Sequence, residues 1–588
     1  MKAKLHPKAR ASGARKPTPE PTPRRDLLAL AERGLPVVLL LLGLAIYWPS
    51  LWGPFVFDDI DILEPRSSVR LESWRAILNG PRPLLISSYA LNYRLAGGQF
   101  RSFDFRLVNV LFHIVNSIIL WRLMRRLARA LEPAARRLVV LGVPLLFLAS
   151  PIQTESVAYI SSRSELMAAA FYLLALLVFA SEWGDRRPHW AAPPVAVLCA
   201  LAVLSKQHAV TLPAAVLLAD YFFLAGGDWR RLKRHWLAYA LFAAGAVAAY
   251  FLIIRPVLNA PSAGFSLRDV SPKEYLFTQF RMYFLYLRLL AAPFGLNVDY
   301  DIPLSRTLFE HGAWLGLAGI LALLAAALWV GRRRPLVGFG ALFFVLTLLP
   351  TSSFYPLLDY AAERRLYLPS IGFFVAALGL GLARWPGRRA LPAAVGVVVA
   401  VYAAGTFARS QVWADALTLW QDTTVKSPNK WRPYTWLGRE YSDRKMFGQA
   451  GEAYQRAAAL APQKSNEHAD VLSSLGSTYA NRGMYTQAVE IYRQALQIAP
   501  GISTLWTNLA IAEVRLGRPE GWALFEKALE LNPLAWEPHF ARGNLYYQLG
   551  RYEDAIRDYE RVLNLLPDHA DAQYNLNAAR AMKQRMGR

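Results

Sequence analysis

At 588 residues, with 54% hydrophobic and only 18% charged side chains, the chain is too long for one ordinary domain and too apolar for an ordinary soluble protein. Its net charge of +24 would suit a nucleic-acid binder, yet from residue 431 onward Lys plus Arg exceeds Asp plus Glu by only about two. The basic surplus therefore lies in the apolar part, which argues for membrane topology and against nucleic acid as a partner. The lone cysteine, Cys199, sits in an apolar run and excludes an intrachain disulfide.

The N-terminal stretch "MKAKLHPKARASGARKPTPEPTPRRD" is rich in Pro, Lys and Arg and predicts a disordered basic cytoplasmic tail over residues 1–34. It runs into "LPVVLLLLGLAIYW" with no small-residue cleavage pattern, which predicts a retained signal-anchor helix. From there to residue 408, apolar runs alternate with short connections, the pattern of a polytopic helical membrane domain. The expected spans are 35–52, 105–124, 138–150, 164–182, 191–205, 208–225, 237–255, 313–330, 336–350, 367–383 and 390–408. The basic connections at 122–137, 184–189, 226–236, 331–335 and 384–389 are assigned with the tail to the cytoplasmic side. That assignment is consistent only if 256–312 stays on the far side. Within it, "EYLFTQFRMYFLYLRLLAAPFG" (274–295) places Glu274, Thr278, Arg281 and Arg288 on one face. An Arg at the bilayer centre costs about 2.5–3.5 kcal/mol, so this segment is read as an outer interfacial helix rather than a span. The expectation is about eleven crossings, with everything after residue 408 exported.

Residues 409–430 read as a connecting segment, and 431–588 has a different period. Gly438, Ala450, Ala457 and Pro462 recur as Gly476, Ala488, Ala495 and Pro500, and again as Gly543, Ala555, Val562 and Pro567. Between them lies a shortened copy with Ala510, Gly521, Ala528 and Pro533. This is the pattern of about four tetratricopeptide repeats, in which small residues let paired helices approach and Pro ends the second one. The fold class is therefore all-α: a membrane domain followed by an α-solenoid. Trp436, Trp506, Trp522 and Trp536 are candidates for lining its groove or for simple packing.

With orientation assigned, the polar clusters sort to the exported face: Asp58, Asp59 and Asp61 after the first span, "SPIQTESVAYISSRSEL" (150–166), "SKQH" (205–208) and "LDYAAERRLYLPS" (358–370). Carboxylates beside cations at a membrane surface suit transfer of a group from a lipid phosphate onto a hydroxyl. Asn109, His113 and Asn116 form a stripe inside the second span and read as interhelical glue. The set "FVFDDID", "RPLLISSYALNYRLAG", "FRLVNVLFHIVNS", "PIQTESVAYISSRSEL", "LSKQHAVTLP" and "AERRLYLPSIGF", followed by the repeats, resembles the transmembrane and tetratricopeptide repeat proteins. These are C-type (GT-C) glycosyltransferases related to protein O-mannosyltransferases.

The resemblance implies an inverting enzyme with a polyprenyl-phosphate-linked monosaccharide donor and a hydroxyl acceptor, here read as Ser or Thr of an exported protein; the concave face of the repeats would suit presenting that acceptor, or binding an accessory protein. It implies Asp58 or Asp59 as general base, Asp58 favoured, while Asp61 is read as simply facing water. Arg364, Arg365, Lys206 and His208 are the candidates for holding the donor phosphate, with Glu155, Arg163, Glu165 and Glu363 supporting. No cofactor is required; the chemistry leaves room for a divalent metal without demanding one. The Arg and Ala content and compact loops favour a bacterial inner membrane. The alternatives are the same chemistry on a glycan or lipid acceptor, and a non-catalytic membrane-anchored repeat scaffold.

Overall fold

The computed structural model describes residues 24–63, 82–181, 186–249, 251, 270–385 and 390–586. The described residues are helices joined by turns, with no strand among them. Each of the eleven predicted apolar segments overlaps helix in its described residues, that at 208–225 as successive 3-10, α and π turns. Among the described residues, seven helices are long and apolar enough to cross a membrane, from Glu32–Trp52 to Ala390–Val412, or eight if a bent pair counts as one. Pro335–Leu348 and Pro369–Arg384 are shorter apolar helices. The bent pair is Pro133–Ala149 and Pro151–Ala158, which meet at 50°. Pro151 cannot continue the preceding hydrogen-bond ladder, so the break falls there and turns "QTE" inward. Of the residues read as tail, 1–23 lie outside the described residues, as do 252–255 of the predicted span 237–255 and 256–269 of the predicted exported stretch.

The membrane part has one large apolar core, running from Leu39 and Leu120 through Val143, Leu173 and Val216 to Phe374. Polar side chains cross-link it. His113 Nδ1 lies 2.8 Å from the Tyr367 hydroxyl, and Asn116 donates to that hydroxyl and to the Leu166 carbonyl. Asn109 donates to the Val157 and Tyr159 carbonyls. The stripe on the helix Ser102–Leu127 thus bonds neighbouring segments, as such residues do where no water can satisfy them. The segment with Arg281 and Arg288 forms the helix Pro272–Ala291, opened by a Ser271–Glu274 capping box. Its two arginines reach loop carbonyls of Pro303 and Phe294, and its other face buries Tyr275, Met282, Tyr286 and Leu289.

After Ala416–Lys426, four helix pairs follow: Trp431–Asp443 with Phe447–Leu460, Asn466–Asn481 with Tyr485–Ile498, Ser503–Arg515 with Gly521–Leu531, and Glu537–Gln548 with Tyr552–Leu565. A last helix, Ala570–Met586, covers the end. The recurring glycine has one steric cause. A Cβ on Gly438, Gly476 or Gly543 would lie 2.8, 2.6 or 2.9 Å from the ring of Tyr454, Tyr492 or Tyr559 in the paired helix. The alanines of the pattern, among them Ala450, Ala488 and Ala555, are fully buried at the same contacts. Gly476→Ala therefore overpacks a close contact, at about 1–3 kcal/mol. Gly448→Ala, whose Cβ meets nothing within 4 Å, gains helix propensity of up to about 1 kcal/mol. Thermal unfolding of the full chain, followed by circular dichroism, should shift in opposite directions for the two variants.

Candidate active site

The turn after the first apolar helix is held from behind by Arg106. This guanidinium is fully buried and donates to the carbonyls of Gly53 and Pro54, and to that of Ala158 at 2.8 Å. Gly53 is obligatory there, because a Cβ would lie 2.2 Å from the Trp413 carbonyl and 2.8 Å from Arg106 Nη1. The chain then enters the short helix Asp58–Leu63. Successive residues of a helix point about 100° apart, so its first two acids cannot share a face. Asp59 turns inward and is fully buried, while Asp58 is exposed to the pocket.

The Asp59 carboxylate accepts from the Ser161 amide at 2.8 Å, the Ser161 hydroxyl at 2.6 Å and the Val56 amide at 3.4 Å. Burial pushes its pKa up to about 6, against the pull of Ser161 and Arg106. Asp59 thereby ties the turn to residue 161. The side chain of Asp61 lies outside the described residues.

Asp58 opens onto a pocket lined also by Phe57, Glu155, Tyr159, Val298, Asp299, Asp359, Arg364 and Arg432. Its amide donates to the Tyr159 hydroxyl at 3.3 Å. Around it runs a chain of alternating charge. Arg364 pairs with Glu155 and, at 2.9 Å, with Asp359. Arg432 reaches Asp359 at 2.6 Å and grips Asp299 with Nε at 3.0 Å and Nη2 at 2.7 Å. Lys430 closes the chain on Asp299. Burial would raise the Asp359 pKa, but Arg432 and Arg364 hold it well below the usual carboxylate range. Asp58 is the pocket carboxylate with no ion pair among the described residues. Among the described residues, four carboxylates meet three cations here, and Asp58 is the carboxylate left without one.

A second polar cluster lies close by. Glu165 binds Lys206 at 3.1 Å and His208 at 3.3 Å, and Lys206 also donates to the Ser164 hydroxyl at 3.4 Å. Arg82 and Arg364 are both within electrostatic reach of Lys206. Burial pulls the Lys206 pKa down to about 8, even against the attraction of Glu165. No three His, Cys, Asp or Glu side chains group as metal ligands among the described residues. In the pocket, Glu155, Asp299 and Asp359 are each occupied by a cation.

The structure therefore brings together Asp58, Glu155 and Arg364, with Lys206, His208 and Glu165 beside them. The remaining candidates sit elsewhere. Arg365 points away, to the Tyr275 hydroxyl at 3.3 Å and the carbonyls of Tyr360 and Asp359. Glu363 bonds neither Arg364 nor Arg365; one of its oxygens accepts from the Asn297 amide and, at 2.8 Å, from the Tyr300 hydroxyl. The cause is the 3-10 turn Glu363–Leu366, whose three residues per turn throw successive side chains about 120° apart. Burial raises the Glu363 pKa, opposed by Arg409 and reinforced by Glu155. Arg163 is fully buried, donating to Asn109 at 2.9 Å, Asn92 at 2.8 Å and the Phe105 carbonyl at 2.8 Å. It packs the helices rather than lining the pocket.

Asp299, Asp359, Lys430, Arg432 and Arg82 were not among the candidates from sequence. One signal was present: Lys430 and Arg432 stand at the N-terminus of the helix Trp431–Asp443, where the helix dipole disfavours cations unless carboxylates answer them.

Similarity to known proteins follows the same two parts. The family described as dolichyl-phosphate-mannose-protein mannosyltransferase matches residues 83–255, and tetratricopeptide-repeat families match 471–504, 524–557 and 543–584. The human protein O-mannosyl-transferase TMTC3 is 24% identical over 93% of this chain and 66% of its own length. Human TMTC4 is 24% identical over 67% of this chain and 62% of its length. The chain thus spans about two thirds of the length of these curated relatives. Among solved structures, the repeat protein YrrB aligns at 23% identity over 28% of this chain and 84% of its own, with a TM-score of 0.22.

Asp59 supplies a pH test. Its pKa is raised on folding, so the stability it contributes is fully present below its unfolded value near 3.8 and is lost as pH rises through about 6. The thermal unfolding temperature of the wild type in detergent should fall across that window relative to Asp59→Asn, which lacks the titration. A constant difference between the two from pH 4 to 7 would contradict the assignment.

Proposed function

We propose that this TMTC-like chain, similar over nearly its whole length to protein O-mannosyl-transferases and built as a multi-pass helical membrane part with an attached repeat solenoid, is itself a membrane protein O-mannosyltransferase. The donor is a polyprenyl-phosphate mannose and the acceptor a Ser or Thr hydroxyl of an exported polypeptide. The pocket and the repeats lie on the non-cytoplasmic face, with the bacterial inner membrane as the setting.

The observation that carries the reading is the Asp58 carboxylate, without an ion pair among the described residues, in a pocket that also holds Arg364. In a single displacement, the acceptor oxygen bonds the anomeric carbon as the bond from that carbon to the phosphate oxygen breaks. The electron pair stays on the departing phosphate, and the hydroxyl proton passes to Asp58. One displacement inverts the anomeric carbon. Arg364, with Lys206 and His208 beside it, meets the growing phosphate charge. Tyr159 and the Glu155–Arg364 pair keep these groups in place. The repeat solenoid supports a polypeptide acceptor over a glycan or lipid, since such arrays bind extended segments along a concave face.

The test is transfer from radiolabelled polyprenyl-phosphate mannose to a Ser/Thr peptide by the full chain in lipid nanodiscs. Asp58→Asn should lower kcat by about 10²–10⁴-fold with little change in donor KM, the usual worth of a positioned base. Undiminished transfer by Asp58→Asn would remove Asp58 from the role. Activity on lipid or glycan but on no peptide would overturn the acceptor assignment, and no transfer to any acceptor would favour the scaffold reading. Orientation has its own check: a reporter fused after residue 588 should be active only outside the cytoplasm.

A further inference from the structure

One wall of the pocket does not come from the membrane part. Arg432 belongs to the first turn of the first repeat helix, Trp431–Asp443, and holds both Asp299 and Asp359. One turn further along the same helix, Trp436 stacks on Trp420 with ring centres 5.7 Å apart and planes within 10°. Both indoles then meet the Phe57 ring edge-on, at 4.5 Å for Trp420 and 5.7 Å for Trp436. Tyr159 lies on Phe57 at 5.9 Å.

Phe57 is the residue immediately before Asp58, and its φ is +51°. A bulky side chain rarely adopts the left-handed region, and such a conformation persists only where the surroundings over-determine it. Here three rings do so, and two of them are carried by the connecting helix Ala416–Lys426 and the first repeat helix. The same short stretch of repeat therefore touches the pocket twice, through charge at Arg432 and through packing at Trp436.

We propose that the first repeat helix is a working part of the pocket: Trp436, backed by Trp420, keeps Phe57 in the strained turn that aims Asp58, and Arg432 keeps Asp359 in place against Arg364. Arg432 and Trp436 are positioning residues, acting through Asp58 and Arg364. Their effect on catalysis rests on the reading of those two as base and phosphate ligand. The repeat domain then does more than recruit a polypeptide, because a disturbance of its first helix reaches the proposed base through one residue.

The experiment compares backbone hydrogen exchange over residues 53–60 and 357–366 in the full chain in nanodiscs. The variants are Trp436→Ala, Trp436→Phe, Arg432→Ala and Arg432→Lys, with Arg580→Ala in the last helix as control. Trp436→Ala should speed exchange over 53–60 by about ten-fold or more, with Phe restoring most of the protection. Arg432→Ala should do the same over 357–366, with Lys restoring part, and Arg580→Ala should change neither segment. In the same samples, kcat for mannose transfer should fall by about ten-fold or more in both Ala variants, while acceptor KM stays within about two-fold. Unchanged exchange at both segments overturns the proposal whatever the activity, and faster exchange with undiminished kcat overturns the positioning role. Faster local exchange in a protein whose wild type transfers no sugar leaves the structural coupling standing and sinks the proposed reaction instead. Should an Ala variant unfold throughout, the Phe and Lys variants decide, and the absence of any partial local effect in them overturns the proposal.

Discussion

The pocket depends on a chain of alternating charge: Glu155, Arg364, Asp359, Arg432, Asp299 and Lys430. Its members come from the broken helix pair, two loops between helices and the start of the repeat domain. Ion pairs this sheltered return little net stability, because removing each charge from water offsets most of the attraction. What they provide is geometry. Removing one member leaves a neighbour uncompensated, so each holds the next, and segments far apart in the chain are brought to one set of distances.

Against that paired background, the lack of an ion pair at Asp58 among the described residues acquires meaning. The two adjacent acids have separate tasks because a helix cannot present both to one side. Asp59 is drawn inward by Ser161 and Val56, and Arg106 gathers the carbonyls of the same turn, so the backbone under Asp58 is held from within. Asp58 needs no such role and remains available to the pocket. The buried arginines follow one rule: Arg106 and Arg163 are both removed from water and both satisfied by fixed acceptors, so they serve as pins. Arg364 shares the pocket with Asp58 and is only partly buried.

The repeat domain obeys a simpler constraint. A tyrosine ring from one helix lies across the backbone of its partner, and only glycine leaves room for it; this sets a fixed approach distance in three of the four pairs. The third pair lacks the tyrosine and packs Phe525 against Ala510 instead. A stiff stack of this kind can transmit the position of its first helix, and that helix is anchored on the pocket.

Much of this was legible from residue order. Apolar run lengths located the membrane helices, and the spacing of Gly, Ala and Pro located the repeats, because both signals depend on neighbours within one or two turns. The motifs carrying Asp58, Glu155, Lys206, His208 and Arg364 could be collected for a similar reason, each being a local departure from an apolar background. Tertiary structure alone decided which members of each motif face the pocket. The phase of a six-residue helix separated Asp58 from Asp59, and a 3-10 turn separated Arg364 from Arg365 and Glu363. It alone also joined Arg432 to Asp299, 133 positions away. Cations in a helix's first turn call for some carboxylate but do not say which one; only folding brings one so distant within hydrogen-bonding range.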